Sequence, residues 1–236
     1  RLQIVYGIDG RAELTETTLD HLEGYRGSRP VRIGNAAFSQ AQLDIYGELL
    51  AAVWLWHQRH LVDDEFWQLL VTIVDWVAEN WQLPDSSIWE VRAEPRHYVY
   101  SKVMCWVALD RAIRMADELG APDSIERWRT QRDAIHAEVL ERGWDEERQT
   151  FVQSYGSTSL DAANLLIGVY GFLPGDDPRM KGTINATFRE LTRDGMLYRY
   201  TGDDGLPGQE GVFSICTFWL ADALVLSGDV AGGERV

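Results

Sequence analysis

Apolar residues recur at the 3.6-residue spacing of an α-helix along almost the whole chain, and this constrains the fold more than any other feature. A first segment, from about Ser39 to His60, carries Leu43, Tyr46, Leu50, Val53 and Trp54 on one stripe. A second opens at Asp63-Asp64, carries Phe66, Leu70, Ile73, Val74 and Val77, and is stopped by Pro84. The third runs from about Val99 to Leu119 and ends at Gly120. The fourth starts at Asp123, with Glu126 completing a capping box, and ends at Gly143. A fifth spans about Thr158 to Tyr170, before Gly171. Asp177-Pro178 opens the sixth, because Pro suits the first helical position. The seventh runs from about Val212 to Ser227, before Gly228. Extended pieces are expected only near Leu2–Tyr6 and Thr150–Ser154, so the fold class is all-α.

The connections alternate in length. Those from the first helix to the second, the third to the fourth and the fifth to the sixth are short, at Leu61-Val62, Ala121-Pro122 and Phe172 to Asp176. The other three are long and hold most of the polar and aromatic residues outside the helices. Helices that reverse at every connection put alternate loops on opposite ends, so all the long loops share one end with the stretch before the first helix. Such a series of hairpins is a helical solenoid or a closed toroid. Loops on a rigid scaffold are where sites are usually built.

A formal charge of −15 disfavours nucleic acid and anionic membrane surfaces as partners, since both require a basic footprint. No segment approaches the ~20 apolar residues of a membrane span. Cys105 and Cys216 fall inside apolar helical stretches and read as reduced core thiols, which with no visible signal segment points to the cytoplasm. The chain starts at Arg1 rather than Met, which leaves room for a segment before it.

Four segments are expected on the long-loop face. Residues 24–35 hold Arg26, Arg29 and Arg32 among small residues, suited either to gripping a ligand or to pairing with the protein's own carboxylates. Residues 83–94 contain Ile88-Trp89-Glu90-Val91-Arg92. Apolar neighbours raise a carboxyl pKa by desolvation, as general-acid chemistry requires; the plainer reading pairs Glu90 with Arg92 or Arg96. Residues 143–157 offer Trp144, Asp145 and Tyr155. Residues 198–211 offer Tyr198-Arg199-Tyr200, fit for sugar hydroxyls, and Asp203-Asp204, which lack the spacing of a calcium loop. There is no phosphate-binding glycine loop, zinc spacing or nucleophile elbow, and no cofactor or metal is expected. His97, at a long-loop end, reads as a structural hydrogen-bond partner.

Several stretches resemble bacterial members of glycoside hydrolase family 15, the glucoamylase and trehalase group. They are Tyr6-Gly7-Ile8-Asp9-Gly10, the run from His21 to Asn35, Ile88-Trp89-Glu90-Val91-Arg92, Tyr100-Ser101-Lys102-Val103-Met104, and Glu210-Gly211-Val212-Phe213 with Cys216-Thr217-Phe218-Trp219. The resemblance spans essentially the whole chain. It implies an (α/α)6 toroid that hydrolyses α-glucosidic bonds with inversion, acting on trehalose, malto-oligosaccharides or other α-glucans. Glu90 maps to the general acid, with Ile88 and Trp89 shaping the site. Arg199 and Tyr200 match the Arg-Tyr pair that binds the terminal glucose, and Arg29, Arg32 and Arg92 join the substrate-binding set. Ser87 and Ala93 stand where the family usually has Gly.

An inverting enzyme also needs a base ~6.5–9.5 Å from the acid. The resemblance places it one hairpin past the Cys-Thr-Phe-Trp helix, beyond Val236, with Glu210 as the substitute within the chain. The expectation is therefore a partial catalytic domain over residues 1–236, with about seven of a ring's twelve helices. Two rivals are a sugar epimerase using His97 and His21, and a carbohydrate-binding toroid without turnover.

Overall fold

The computed structural model describes residues 2–120, 125–200 and 211–236. Its helices follow one another as hairpins: α1 (Asp44–His57) with α2 (Asp64–Asn80), and α3 (Val99–Leu119) with α4 (Ile125–Arg142). A 3₁₀ turn at Ala162–Leu165 leads into α5 (Leu166–Val169), which precedes α6 (Pro178–Leu191). The last pair is α7 (Ser214–Leu226) with α8 (Val230–Arg235). Helix α1 packs on α3, α3 touches the 3₁₀ turn before α5, and that turn and α5 pack on α7, so alternate helices form one layer. Helices α2 and α4 pack together behind it. This is an incomplete (α/α)6 toroid of four hairpins among the described residues.

The boundaries follow from local chemistry. Asp63 caps α2 by accepting the Phe66 amide at 2.8 Å, and Asp177 caps α6 by accepting the Arg179 amide at 2.8 Å with Pro178 at the first position. Helix α3 is buried on nearly every face. Its contact with α1 is closest at Gly47, where a Cβ would lie 2.3 Å from the Met104 carbonyl oxygen. Lys102, on α3, is buried and donates to the Trp81 and Leu83 carbonyls at 2.6 and 2.5 Å, where α2 ends. A buried ammonium is costly unless paired; here it satisfies carbonyls a helix leaves open, and burial still holds its pKa below the usual lysine value.

The structure shortens two expected helices. The first gains its α-helical form only at Asp44, because Asn35 caps a separate 3₁₀ turn at Ala36–Ser39 and Asp85 accepts the Leu43 amide at 3.0 Å. The fifth is helical only over 162–169, because Ser159 is extended and accepts the Gln153 amide while Asp161 bridges to Tyr200. Leu2–Tyr6 forms no strand; the Gln3 side chain bonds the Val5 and Ala12 carbonyls instead. The extended piece at 150–154 is in part a strand: β4 (Thr150–Phe151) pairs antiparallel with β3 (Trp144–Asp145). Similar ribbons join β1 (Thr17–Thr18) to β2 (Arg32–Ile33), and β5 (Thr192–Arg193) to β6 (Met196–Leu197). The unexpected helix is α8, whose Gly232-Gly233 argues against a helix by propensity. Close packing explains it: a Cβ at Gly233 would lie 2.7 Å from Val225 Cγ2 on α7. Among the described residues no helix is long and apolar enough to cross a membrane. The expected cap Asp123 lies outside the described residues.

Candidate active site

The long connections do converge. Isolated bridges join Asp85 to Arg96, Tyr98 to Ser154, Asp161 to Tyr200, and Tyr198 to Val212. Segments 83–98 and 150–161, with residues 196–200 and 211–213, are therefore joined at the leading ends of α3, α5 and α7. The segment before α1 joins it through Gln40, whose side-chain amide donates to the Glu90 and Val91 carbonyls at 3.4 and 3.2 Å.

The residues around Glu90 form a tight turn, closed by the Glu90 amide on Ser87 O at 3.2 Å and the Val91 amide on Ser86 O at 2.9 Å. Two of its residues are left-handed, Ser87 at φ 65° and Glu90 at φ 55°. Non-glycine residues in that region are strained and persist only where their surroundings determine them. Asp85 supplies one such constraint. It is fully buried, and its Oδ2 accepts from the Leu43 amide at 3.0 Å, Ser101 Oγ at 2.7 Å and the Ser87 amide at 3.3 Å. Burial pushes its pKa up to about 6 against these hydrogen bonds and the nearby Lys102 ammonium. The matched Tyr-Ser-Lys motif on α3 is thus structural: Ser101 holds Asp85, Lys102 caps α2, and Tyr100 donates to Glu48 at 2.6 Å.

Trp89 faces inward while the Glu90 side chain is exposed, so the residues of this chain do not bury Glu90 as its neighbours in sequence suggest. The reversal at φ 55° separates the two side chains. The Trp89 indole N–H donates to both oxygens of Asp161, at 2.9 and 3.0 Å. Its ring meets Trp219, Tyr200 and Phe213 at centroid separations of 5.8, 6.1 and 6.1 Å. The Arg199 guanidinium lies over Tyr200, Trp89 and Phe213 at 5.3, 5.4 and 5.8 Å, within cation–π range of all three. Ile88 packs at the edge of the main core. Trp89, Arg199 and Tyr200 are therefore brought to one place, and Glu90 follows Trp89 in the chain with its side chain exposed.

Asp161, which the pattern of the sequence did not single out, is the hub of this group. Buried, it also accepts from the Ala163 amide at 2.9 Å and Gln153 Nε2 at 3.3 Å, and burial pushes its pKa up to about 6. Its signal in the sequence is faint: Asp161 stands directly before Ala162-Ala163, inside the stretch expected as the fifth helix, where it reads as an ordinary helical acid. Phe213 and Trp219 were visible only as parts of matched motifs.

The arginine segment takes the second of its two readings at Arg32. Glu16, another residue not singled out, accepts both Arg92 nitrogens at 3.1 and 2.9 Å and Arg32 Nε at 3.1 Å. It also accepts the Ala36 amide at 3.3 Å. The Arg92 guanidinium holds the Glu16 carboxyl below its usual pKa. Arg29 is exposed and lines a shallow hollow with Thr18, Asp20 and Val31.

In the third long loop, Asp145 caps the turn at Glu147 and Arg148, while His97 stacks on Tyr155 at 5.9 Å with its buried Nδ1 unpartnered. Burial lowers the His97 pKa. His21 is exposed, and no ring contact or hydrogen bond joins it to His97. Asp203, Asp204 and Glu210 lie outside the described residues. Among the described residues no group of three or more His, Cys, Asp or Glu is placed to hold a metal ion.

Comparison with known proteins gives a consistent picture. The family described as Glycosyl hydrolases family 15 matches residues 1–231. Trehalase of Mycobacterium tuberculosis is 46% identical over 239 residues, covering 100% of this chain and 35% of its own length. Trehalase of Thermoplasma volcanium is 45% identical over 228 residues, covering 96% of this chain and 36% of its own. The chain thus spans about a third of the length of these relatives. A glycosidase variant in complex with glucose superposes with a TM-score of 0.74 at 25% identity, over 89% of this chain and 57% of that one. A bacterial glucoamylase complexed with acarbose shares the fold, with a TM-score of 0.70 at 12% identity over 86% of this chain and 36% of that one.

Proposed function

The chain belongs to the glycosyl hydrolases of family 15, and from that premise we propose that it carries the proton-donating side of an active site that hydrolyses an α-glucosidic bond with inversion. Glu90 protonates the glycosidic oxygen. Arg199 and Tyr200 bind hydroxyls of the terminal glucose, against the aromatic wall of Trp89. The observation that carries this reading is the joining of the Glu90 turn to Arg199 and Tyr200 through Trp89, in a group of rings that can stack on a sugar face. Arg29, Arg32 and Arg92 are assigned to the rim; for Arg32 and Arg92 the role is through Glu16, which holds them. Trehalose is the first substrate to try, since the relatives matched over nearly all of this chain are named trehalase.

The general base is assigned outside the described residues, to Glu210 or to the part of the ring that this chain does not span. The exposed apolar side chains of α7, Ile215, Phe218, Val225 and Leu226, support further helices packing on that layer. A carbohydrate-binding toroid without turnover remains the second reading, favoured by the exposure of Glu90.

The test is glucose release from trehalose and maltose, with the anomer followed by NMR. Inversion at an α-linked carbon yields β-glucose first. Release of β-glucose that is lost on Glu90→Gln supports the assignment. Release that survives that substitution removes it, and sugar binding without release by a complete ring favours the second reading.

A further inference from the structure

We infer that Asp161 is a positioning residue for the proton donor: it orients the Trp89 indole, and through it the strained turn carrying Glu90, and ties that turn to Arg199. This rests on the reading of Glu90 as the proton donor, but its geometry stands independently. A carboxylate offers only acceptors, and every partner of Asp161 donates: the Trp89 indole to both oxygens, the Ala163 amide, and Gln153 Nε2. These donors come from three different segments, at 89, 153 and 163. The same residue bridges to Tyr200 by backbone pairing, and the Ala162 amide donates to Arg199 O at 2.8 Å. One buried side chain therefore fixes the long loops against one another at the position next to Glu90.

Among the described residues, no hydrogen bond or ion pair anchors the Glu90 side chain. Its backbone at φ 55° is set by what holds its neighbours: Asp85 on the Ser87 side and Asp161 on the Trp89 side. Protonating Asp161 turns one acceptor into a donor, so it can no longer satisfy all its partners, and it removes the negative charge that faces Arg199. Among the described residues, the charged or titratable groups facing Asp161 are Arg199 and, at the head of α3, Tyr98. Gln153 from the third long loop and the rings of Phe213 and Trp219 around Trp89 do not titrate. The raised pKa of about 6 puts this change within reach of ordinary buffers.

The test follows the indole N–H signals by ¹⁵N-NMR across pH 4.5 to 8, on this chain as it stands. The Trp89 signal is identified by its loss in Trp89→Phe. The inference predicts that Trp89 titrates with a midpoint near 6, that the Glu90 backbone amide moves with the same midpoint, and that Asp161→Asn abolishes both transitions. Trp89 that does not titrate overturns it, as does a Glu90 amide that stays still while Trp89 moves. The wild-type titration uses Trp89→Phe only to assign the signal and needs no Asp161 variant, so an Asp161→Asn chain that fails to fold leaves the question decided. Repeating it in Glu90→Gln separates the two claims: if hydrolysis proves independent of Glu90 while the coupled transition persists, the catalytic reading fails and the positioning of the turn stands.

Discussion

The indole nitrogen of Trp89 lies 2.9 and 3.0 Å from the two carboxylate oxygens of Asp161, 72 residues further along the chain. The residue after Trp89 is Glu90, and the residues paired with Asp161 by backbone are those of the Arg-Tyr segment. The site is therefore assembled by a polar contact at its centre, and the rings pack around it.

Ser87 stands where the family usually has Gly and is left-handed at φ 65°. A non-glycine residue there costs roughly 1–2 kcal/mol, and the extra unfolded-state freedom of Gly takes back about 0.5–1. Ser87→Gly is expected to stabilise the chain by about 0.5–1 kcal/mol in urea unfolding, with the long 3.4 Å contact from the Trp89 amide to Ser87 Oγ contributing little. Ser87→Val is expected to destabilise it. Equal effects of the two substitutions would contradict the strained turn.

Asp85 gathers three donors in the core. Asp85→Ala leaves them without an acceptor, at about 1–3 kcal/mol for each group that water cannot reach. A loss of about 3 kcal/mol or more by chemical denaturation is expected, enough to unfold a marginal chain.

Stability should fall as pH rises between about 4 and 7. Burial raises Asp85 and Asp161 from 3.8 to about 6, and raises Asp44 as well. A folded-state pKa above the unfolded one means stability that is full below the unfolded value and lost as pH passes the folded one. At ~1.4 kcal/mol per unit, each of the first two contributes roughly 3 kcal/mol across that window. Glu16 and Glu190, which arginines hold below their usual pKa, act in the opposite direction and weaken the fold as pH drops through the ordinary carboxyl range. Thermal melts across pH should show a mildly acidic maximum; a Tm that climbs steadily from 4 to 7 would contradict the burial of these carboxyls.

Glu16 clamps Arg32 and Arg92 across the rim. Glu16→Ala is expected to lower Tm slightly, by an amount that high salt removes, because the pairs are partly exposed and screened. A large, salt-independent loss would mean that the clamp is part of the core.

Much of this was legible in the sequence. Helix α3 was readable to its ends because apolar residues recur at helical spacing from Val99 until Gly120 stops them, and α2 and α6 because Asp63 and Asp177 are strong caps. The common face of the long loops followed from their alternation alone. What escaped notice depends on partners distant in sequence. Asp85 looks like a loop acid and Asp161 falls inside the expected fifth helix, and only the fold brings the donors of residues 43, 89, 101, 153 and 163 to them. The shortened fifth helix has the same origin, since Ser159 and Asp161 spend their backbone groups on other segments. Glu90 was legible as a residue type but not as a conformation. Apolar neighbours in sequence suggested a buried carboxyl, whereas a left-handed turn sends Trp89 and Glu90 to different surroundings.

The most direct test of the proton-donor assignment compares two substrates in Glu90→Gln, on the preparation that turns over trehalose. Departure of a sugar hydroxyl needs protonation, whereas departure of fluoride from α-D-glucosyl fluoride does not. Loss of a general acid removes a factor of about 10²–10⁴ where the leaving group depends on it. The account predicts that loss for trehalose and near wild-type rates for the fluoride; equal losses on both, or none on either, would contradict it.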